Sequence, residues 1–190
     1  RLTNSLKESN ARLQAANDEL QQRAFTDPLT GLPNRLLFED RLIHAVLRLE
    51  RTNHLYVMHR LAVMFVDLDG FKPINDSFGH AAGDDILRIA ALRLQAEARG
   101  SDTVARVGGD EFLILLEDVT DVAACVAVAN RVLAALAKPF EIAGKNLQIT
   151  GSIGIVVHPD HGDRAKLVAN ADAAMYAAKR AGGSCYALFE

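Results

Sequence analysis

The stretch that decides the fold runs from residue 103 to residue 116 and reads Thr-Val-Ala-Arg-Val-Gly-Gly-Asp-Glu-Phe-Leu-Ile-Leu-Leu. Two β-prone segments flank a Gly-Gly-Asp turn, which predicts a β-hairpin. The glycines let a large ligand approach the backbone, because they carry no side chain. Asp110 and Glu111 are adjacent at the tip, where their charges repel unless a cation offsets them. The turn alone fits a solvated acidic loop equally well; a second acidic segment upstream favours a binding site.

That segment is residues 61–72, Leu-Ala-Val-Met-Phe-Val-Asp-Leu-Asp-Gly-Phe-Lys. Its apolar run predicts a strand buried on both faces. Alternation along a strand places Asp67 and Asp69 on one side and Leu68 on the other. A carboxylate at the end of a buried strand, facing another on a neighbouring hairpin, suits Mg²⁺, which completes its shell with water and phosphate oxygens. A simple turn-capping role fits Asp69 better than Asp67.

Two further motifs accompany these segments: Asp-Pro-Leu-Thr-Gly-Leu-Pro-Asn-Arg at residues 27–35 and Ala-Ala-Met-Tyr-Ala-Ala-Lys at residues 173–179. Together with residues 67–80 and the signature 108–112, they resemble the GGDEF domain of the diguanylate cyclase family. The resemblance covers nearly all of residues 25–190, and four motifs in the family's order are a strong signal. It implies an α+β fold with a central, mostly antiparallel sheet flanked by helices, akin to nucleotide cyclases and polymerase palms. Alternating strands and helices permit that fold.

The resemblance also implies an activity, the condensation of two GTP molecules into cyclic di-GMP with release of two pyrophosphates. One domain holds one GTP in this scheme, so two domains must face each other in a homodimer. By resemblance, Asp67, the main-chain carbonyl of Leu68 and Asp110 bind Mg²⁺ (or Mn²⁺) ions. Glu111 is a further ligand or the base, and Asp67, Asp110 and Glu111 form the catalytic set.

Six residues match the family's substrate-binding positions. They are Lys72 and Lys179 for the terminal phosphates, Gly108 and Gly109 for room along the backbone, and Asn75 and Asp84 for guanine. Without the family, the two lysines read as solvated side chains and Asp84 as an acid favoured by a helix dipole.

A loop segment, Arg99-Gly100-Ser101-Asp102, matches the spacing of the family's inhibitory site, where an Arg-x-x-Asp binds cyclic di-GMP. Arginine suits that task because it forms bidentate bonds to phosphate and to the O6/N7 edge of guanine. Arg131 is a weaker match for a secondary contact. Alone, the segment reads as a solvated loop, and the resemblance predicts feedback inhibition by the product.

One departure from the family concerns the residues that bind the terminal phosphates of GTP. The family often carries an arginine in a Gly-Arg-Asn segment after the second lysine, where this chain has Gly182-Gly183-Ser184. Arg180 is a possible substitute, but on a helix it points about 100° from Lys179.

Residues 1–24 are polar and contain no Gly or Pro, and Leu6, Leu13 and Leu20 recur every seven residues. Asn10, Asn17 and Ala24 occupy the other seam positions of this heptad pattern. A short parallel coiled coil and a single solvated helix both fit it. The resemblance favours the coiled coil, as a stalk that transmits a signal from an upstream sensor. The predicted organisation is a helical linker over 1–24 and the GGDEF domain over 25–190.

The composition indicates which partners and which cellular compartment to expect for the domain. The 21 basic and 24 acidic residues give a net charge of −3, which argues against a nucleic-acid partner. No apolar run approaches the ~20 residues of a membrane span, and no signal peptide is visible. We interpret Cys125 and Cys185 as reduced thiols of a cytoplasmic domain whose parent protein could be membrane-anchored. A downstream EAL phosphodiesterase domain is expected from family habit alone.

The spacing of apolar residues, together with the residues that typically begin and end helices, predicts the remaining elements. Asn34 and Asp121 are predicted helix caps. The predicted helices span 34–51, 81–98, 121–138 and 163–182. The predicted strands span 140–142 and 147–157, joined as a hairpin around Gly144, and 186–189.

A rival interpretation is a non-catalytic module that binds GTP at the signature or cyclic di-GMP at residues 99–102 and regulates a neighbouring domain. The intact Asp67, Asp110 and Glu111 favour the enzyme, whereas the absent arginine favours the module. A purely structural dimerisation segment would rest on residues 1–24 alone and leaves the acidic strand ends unexplained.

Overall fold

The computed structural model describes residues 2–52 and 59–190. The helices are α1 (Leu2–Phe25), α2 (Arg35–Thr52), α3 (Phe71–Phe78), α4 (His80–Glu97), α5 (Val122–Leu136) and α6 (Leu167–Arg180). The strands are β1 (Arg60–Asp69), β2 (Thr103–Arg106), β3 (Glu111–Val119), β4 (Phe140–Ile142), β5 (Lys145–Leu147), β6 (Thr150–His158) and β7 (Tyr186–Leu188). Within the described ranges, no helix has both the length and the apolar character needed to cross a membrane.

Five strands form the central sheet in the order β2-β3-β1-β6-β7. All neighbours are antiparallel except β6 and β7, which are parallel. Helices cover both faces, so the predicted α+β fold with a mostly antiparallel sheet is confirmed. The predicted hairpin across the Gly-Gly-Asp turn is also confirmed, as β2 and β3.

The central strand β1 contributes to two apolar cores, one on each face of the sheet. Ala62, Met64, Val66 and Leu68 pack in the core that also contains the buried residues of α4 and α5. Leu61, Val63 and Phe65 pack in the other core, with α2 and α6. Because side chains alternate along a strand, Asp67 and Asp69 lie on the α6 side and Leu68 on the opposite side, as predicted.

Helix α6 lies unusually close to β6. A Cβ atom at Gly154 would overlap the carbonyl oxygen of Ala171 and the backbone nitrogen of Met175. Glycine at this position therefore lets the backbone of the helix rest directly on the strand. The close approach fixes α6, whose last turn carries Lys179, relative to the end of β1.

Two segments differ from the sequence-based prediction. Residues 71–78 form helix α3, which was not predicted because a helix of 8 residues offers too few apolar repeats to be recognised. The predicted hairpin of 140–142 with 147–157 is wrong: β4 pairs only with the short β5, and β6 belongs to the central sheet. The positive φ angles of Ala143 (49°) and Gly144 (75°) make a tight two-residue turn that brings Lys145 directly opposite Ile142.

Both predicted caps are confirmed. The Leu37 N–H donates to Asn34 Oδ1 (3.0 Å) and the Ala124 N–H donates to Asp121 Oδ1 (2.8 Å). Cys125 and Cys185 are free, as predicted. In α1, the side chains of Leu6, Leu13 and Leu20 are 67%, 65% and 65% exposed. Pairing of this face in a coiled coil stays a prediction.

Replacement of Gly154 tests the contact between α6 and the sheet. We expect Gly154→Ala to lower the free energy of unfolding by about 3 kcal/mol, because the new methyl group meets backbone atoms that can move only with the whole helix. Gly100→Ala is the matched control, because a Cβ there meets nothing within 4 Å. Urea denaturation measures both, and an equal effect of the two changes would contradict the account.

Candidate active site

The two acidic segments meet where β1 and β3 lie side by side. Asp67 is directly opposite Glu111 in the strand register, and the Leu68 N–H donates to the carbonyl of Asp110 (3.1 Å). Strand pairing therefore brings together carboxylates that are more than 40 residues apart in the chain.

The Gly-Gly-Asp turn is held in place by Arg106. Its Nε and Nη2 atoms donate to the carbonyl of Gly109 (3.1 and 2.9 Å), and its Nη1 atom donates to Asp27 Oδ1 (2.9 Å). The other oxygen of Asp27 accepts from the N–H (2.9 Å) and hydroxyl (2.7 Å) of Thr30. The segment 27–35 thus braces the turn from outside the sheet.

Asp27 and Arg106 were not among the predicted site residues. Their side chains are only 14% and 16% exposed, and the pair spans 79 positions of the chain. The available signal was the position of Asp27 at the head of the first motif and of Arg106 just before the signature. Neither position reveals that the two side chains meet.

A cleft of about 360 Å³ opens at the end of β1, between the Gly70–Pro73 segment and the end of α6. Five of the predicted site residues line it. They are Asp67, Leu68, Lys72, Asp110 and Lys179. Gly182 and Gly183 also line the cleft. They belong to the segment where the family often has Gly-Arg-Asn.

Asp67 is buried at the base of this cleft, and its Oδ1 atom lies 2.6 Å from Lys179 Nζ. Burial raises the pKa of Asp67 above its ordinary value, the close contact with the ammonium group of Lys179 opposes that rise, and the charges of Asp110 and Glu111 add to it. Burial lowers the pKa of Lys179, but its ion pair with Asp67 and the nearby carboxylates outweigh burial and raise that pKa. The base of the cleft thus concentrates negative charge that the ammonium group of Lys179 offsets only in part.

These residues suit a divalent cation that arrives with phosphate. Within the described part of the chain, no cluster of three or more His, Cys, Asp or Glu side chains forms a complete metal cage. Mg²⁺ needs only one or two carboxylates when a nucleotide and water complete its shell. A buried carboxylate beside a second one, with the Leu68 main chain between them, fits that arrangement.

The other predicted residues of the catalytic and substrate-binding sets are not among those that line the cleft. A Cβ atom at Gly108 would overlap Glu111 Oε2, so the side chain of Glu111 folds over Gly108. Asn75, on α3, makes a 3.3 Å contact from Nδ2 to His80 Nδ1. Asp84 lies one turn into α4. Gly109 contributes the carbonyl that Arg106 holds.

Two of the three predicted inhibitory residues, Arg99 and Asp102, lie together, away from the cleft. Asp102 Oδ2 accepts from the Arg99 N–H (2.8 Å) and Oδ1 accepts from the Glu117 N–H (3.2 Å), which closes the loop. Arg99 and Asp102 line a small cavity of about 90 Å³. Arg131 does not line it and pairs with Glu97 (3.2 Å).

Comparison with known proteins shows the family. The model of the diguanylate cyclase GGDEF domain matches residues 24–185. This chain belongs to that family, as its motifs predicted.

Three curated bacterial relatives show how similar proteins are organised. The bifunctional diguanylate cyclase/cyclic di-GMP phosphodiesterase MucR of Pseudomonas aeruginosa is 44% identical over 179 residues, 94% of this chain and 25% of MucR. The diguanylate cyclase TpbB of the same species is 42% identical over 181 residues, 94% of this chain and 40% of TpbB. The cyclic di-GMP phosphodiesterase PdeR of Escherichia coli is 37% identical over 175 residues, 92% of this chain and 25% of PdeR. The chain thus spans well under half the length of these relatives.

Solved structures agree with this assignment. The GGDEF domain of TpbB gives a TM-score of 0.82 at 41% identity and covers 87% of this chain and 94% of its own. The coiled coil and GGDEF domain of DgcB from Caulobacter crescentus, in complex with cyclic di-GMP, gives a TM-score of 0.86 at 26% identity and covers 98% of both chains.

Removal of the Arg106 guanidinium tests the brace on the turn. We expect Arg106→Met to lower the free energy of unfolding by about 2–3 kcal/mol, because it leaves the partly buried carboxylate of Asp27 without its partner. Asp85→Asn is the control, since its pair with Arg88 is exposed and costs less than about 0.5 kcal/mol to lose. Denaturant titration measures both; a loss at Arg106 no larger than at Asp85 would refute the brace.

Proposed function

We propose that this domain condenses two GTP molecules into cyclic di-GMP and two pyrophosphates. The observation that carries the proposal is the meeting of Asp67 and Asp110 at adjoining strand ends, beside Lys179, in one open cleft. The match to relatives named as diguanylate cyclases supports the same activity. Each 3′-hydroxyl attacks the α-phosphorus of the other nucleotide.

The protein's part in this reaction is positioning and charge neutralisation. Asp67, Asp110 and the carbonyl of Leu68 would hold Mg²⁺ or Mn²⁺. Such ions would lower the pKa of the attacking hydroxyl and would stabilise the pyrophosphate leaving group. Lys179 and Lys72, on opposite sides of the same cleft, contact the terminal phosphates.

The remaining groups select and seat the nucleotide. Gly109 has open space where a Cβ atom would lie, and only the side chain of Glu111 lies against Gly108, so the nucleotide lies across the turn. Asp84 accepts from the N1–H and N2–H₂ edge of guanine, which a carboxylate matches. Asn75 adds an amide contact, and its contact with His80 helps to orient that amide. Glu111 serves as a further metal ligand or as the base.

The reaction needs two domains face to face, because each domain supplies one such cleft. Helix α1 supports a homodimer, since its three heptad leucines are exposed along one side. The DgcB structure, which aligns along 98% of this chain, contains a coiled coil before its GGDEF domain. We assign residues 1–24 to a linker that pairs two copies and residues 25–190 to the cyclase domain. An upstream sensor would act through that linker.

Product inhibition follows from the second site. Arg99, with Asp102 fixing its loop, would bind cyclic di-GMP, and Arg131 would make a secondary contact once released from Glu97. The partners proposed are GTP, cyclic di-GMP and a second copy of the chain, in the cytoplasm where GTP is supplied. A downstream EAL domain in the parent protein is proposed from MucR, whose name records both activities.

A regulatory module that binds GTP or cyclic di-GMP without turnover is the second candidate. It is favoured by Gly182-Gly183-Ser184 in place of the expected arginine segment and by the likeness to PdeR, which is named as a phosphodiesterase.

Product formation from GTP and Mg²⁺, followed by chromatography, separates the two candidates. We expect cyclic di-GMP from the wild type and a loss of more than about 100-fold for Asp110→Ala, since even outer-shell changes at metal sites cost 10–100-fold. Asp85→Asn should keep wild-type activity because Asp85 is an exposed carboxylate on α4. Absence of product from the wild type, with GTP still bound in calorimetry and dimerisation enforced by a longer stalk, would favour the regulatory module.

Loss of Arg99 should relieve product inhibition. We expect Arg99→Ala to raise the cyclic di-GMP concentration that halves activity by at least about tenfold, as is typical when a hydrogen bond to a charged group is lost. Arg88→Ala, which removes an exposed arginine from α4, is the control. An unchanged inhibition constant in Arg99→Ala would place the inhibitory site elsewhere.

A further inference from the structure

Asp69 accepts hydrogen bonds on both of its carboxylate oxygens. Oδ1 accepts from the hydroxyl of Ser152 (2.9 Å), and Oδ2 accepts from the backbone N–H of Ser184 (2.9 Å). The hydroxyls of Ser152 (3.0 Å) and Thr150 (3.3 Å) also reach Oδ2. These donors come from β6 and from the turn after α6, so one side chain of β1 joins three elements.

The turn after α6 has a backbone that needs such support. Gly182, Gly183 and Ser184 follow one another with φ angles of 119°, 73° and 53°. Ser184 is not glycine, so surrounding contacts must hold its left-handed conformation. A Cβ atom at Gly183 would lie 3.0 Å from Asp69 Oδ2, so the carboxylate rests directly on the turn.

The same turn closes the end of α6. The Gly182 N–H donates to the carbonyl of Lys179 (3.1 Å), and the Gly183 N–H donates to the carbonyl of Ala178 (3.1 Å). Lys179 lies in the last helical turn and reaches Asp67 (2.6 Å). A continuous series of contacts therefore leads from Asp69, through the turn, to the ammonium group in the cleft.

We propose that Asp69 is a positioning residue for Lys179, the residue assigned to the terminal phosphates of GTP. It fixes the turn 182–184 against the ends of β1 and β6, and the turn in turn fixes Lys179. The inference rests on the proposed function, because its consequence is the affinity for the GTP triphosphate. The inference assigns Asp69 to the turn and not to the metal, because both of its oxygens already accept hydrogen bonds from the protein.

The test compares Asp69→Ala with Asp69→Asn. In Asp69→Asn, the amide oxygen of the new side chain can still accept from the Ser184 N–H, and its NH₂ group can face Ser152, whose hydroxyl can rotate to accept. Asparagine therefore keeps the contact and loses the charge, whereas alanine loses both. Asp160→Asn is the remote control, because Asp160 pairs with Arg60 at the far end of β1.

Two measurements read out the contact and its consequence. Amide hydrogen exchange at Ser184 should accelerate by at least about tenfold in Asp69→Ala and stay within about threefold of wild type in Asp69→Asn and Asp160→Asn. Affinity for GTP with Mg²⁺, measured by calorimetry, should fall by about tenfold in Asp69→Ala and be largely restored in Asp69→Asn. Should Asp69→Ala fail to fold, Gly183→Ala disturbs the same contact from the turn's side and should weaken GTP binding similarly.

Each other outcome overturns the inference. Equal losses of GTP affinity in Asp69→Asn and Asp69→Ala would show that the charge matters and not the position. Electron paramagnetic resonance measures Mn²⁺ affinity in the absence of nucleotide. A loss of that affinity in Asp69→Asn would show that Asp69 is a metal ligand. An unchanged rate of amide exchange at Ser184 in Asp69→Ala would show that Asp69 does not hold the turn.

Failure of the proposed function leaves a different signature. In that case the wild type does not bind GTP, and exchange at Ser184 alone decides whether Asp69 holds the turn. If the wild type binds GTP and forms cyclic di-GMP while Asp69→Ala matches it, only the positioning role fails.

Discussion

The structure depends on a buried carboxylate, Asp67, at the end of the central strand. A charge removed from water is costly unless a partner or a metal offsets it. Here the offset comes from Lys179, at 2.6 Å, while Asp110 and Glu111 of the neighbouring strand increase the negative potential. Because the lysine balances only part of that charge, the cleft stays attractive to a further cation. That imbalance is what a site for a metal–nucleotide complex requires.

The fold supplies this geometry through rigid elements. The pairing of β1 with β3 sets the two acidic ends side by side, and the brace from Arg106 to Asp27 holds the turn that follows β2. On the other side, Gly154 lets α6 rest on β6, so the lysine reaches across to β1. A site built on strands and a packed helix holds its side chains more precisely than one built on loops.

Local signals in the sequence predicted much of this arrangement. The hairpin, the buried strand and the shared face of Asp67 and Asp69 all follow from apolar runs, turn residues and strand alternation. The caps at Asn34 and Asp121 follow from side-chain chemistry next to periodic segments. Helix α3 was missed because it is too short for a clear periodicity, and β4 was given the wrong partner because pairing depends on the turn's conformation.

Contacts between residues far apart in the chain could not be predicted from the sequence, for a different reason. The bond from Arg106 to Asp27 spans 79 positions, and that from Ser184 to Asp69 spans 115. Each of these residues alone is an ordinary polar residue near a turn. Only the strand order, with β1 between β3 and β6, determines which of them meet.

The proposed activity requires Asp67 and Asp110 to act together on one divalent metal ion. Electron paramagnetic resonance of Mn²⁺, with a GTP analogue that resists attack at the α-phosphorus, measures this most directly in Asp67→Asn, Asp110→Asn and the double variant. We expect each single change to lower the Mn²⁺ affinity by more than about tenfold, and the double change to lower it by less than the product of the two single effects. Wild-type affinity in either single variant would contradict it.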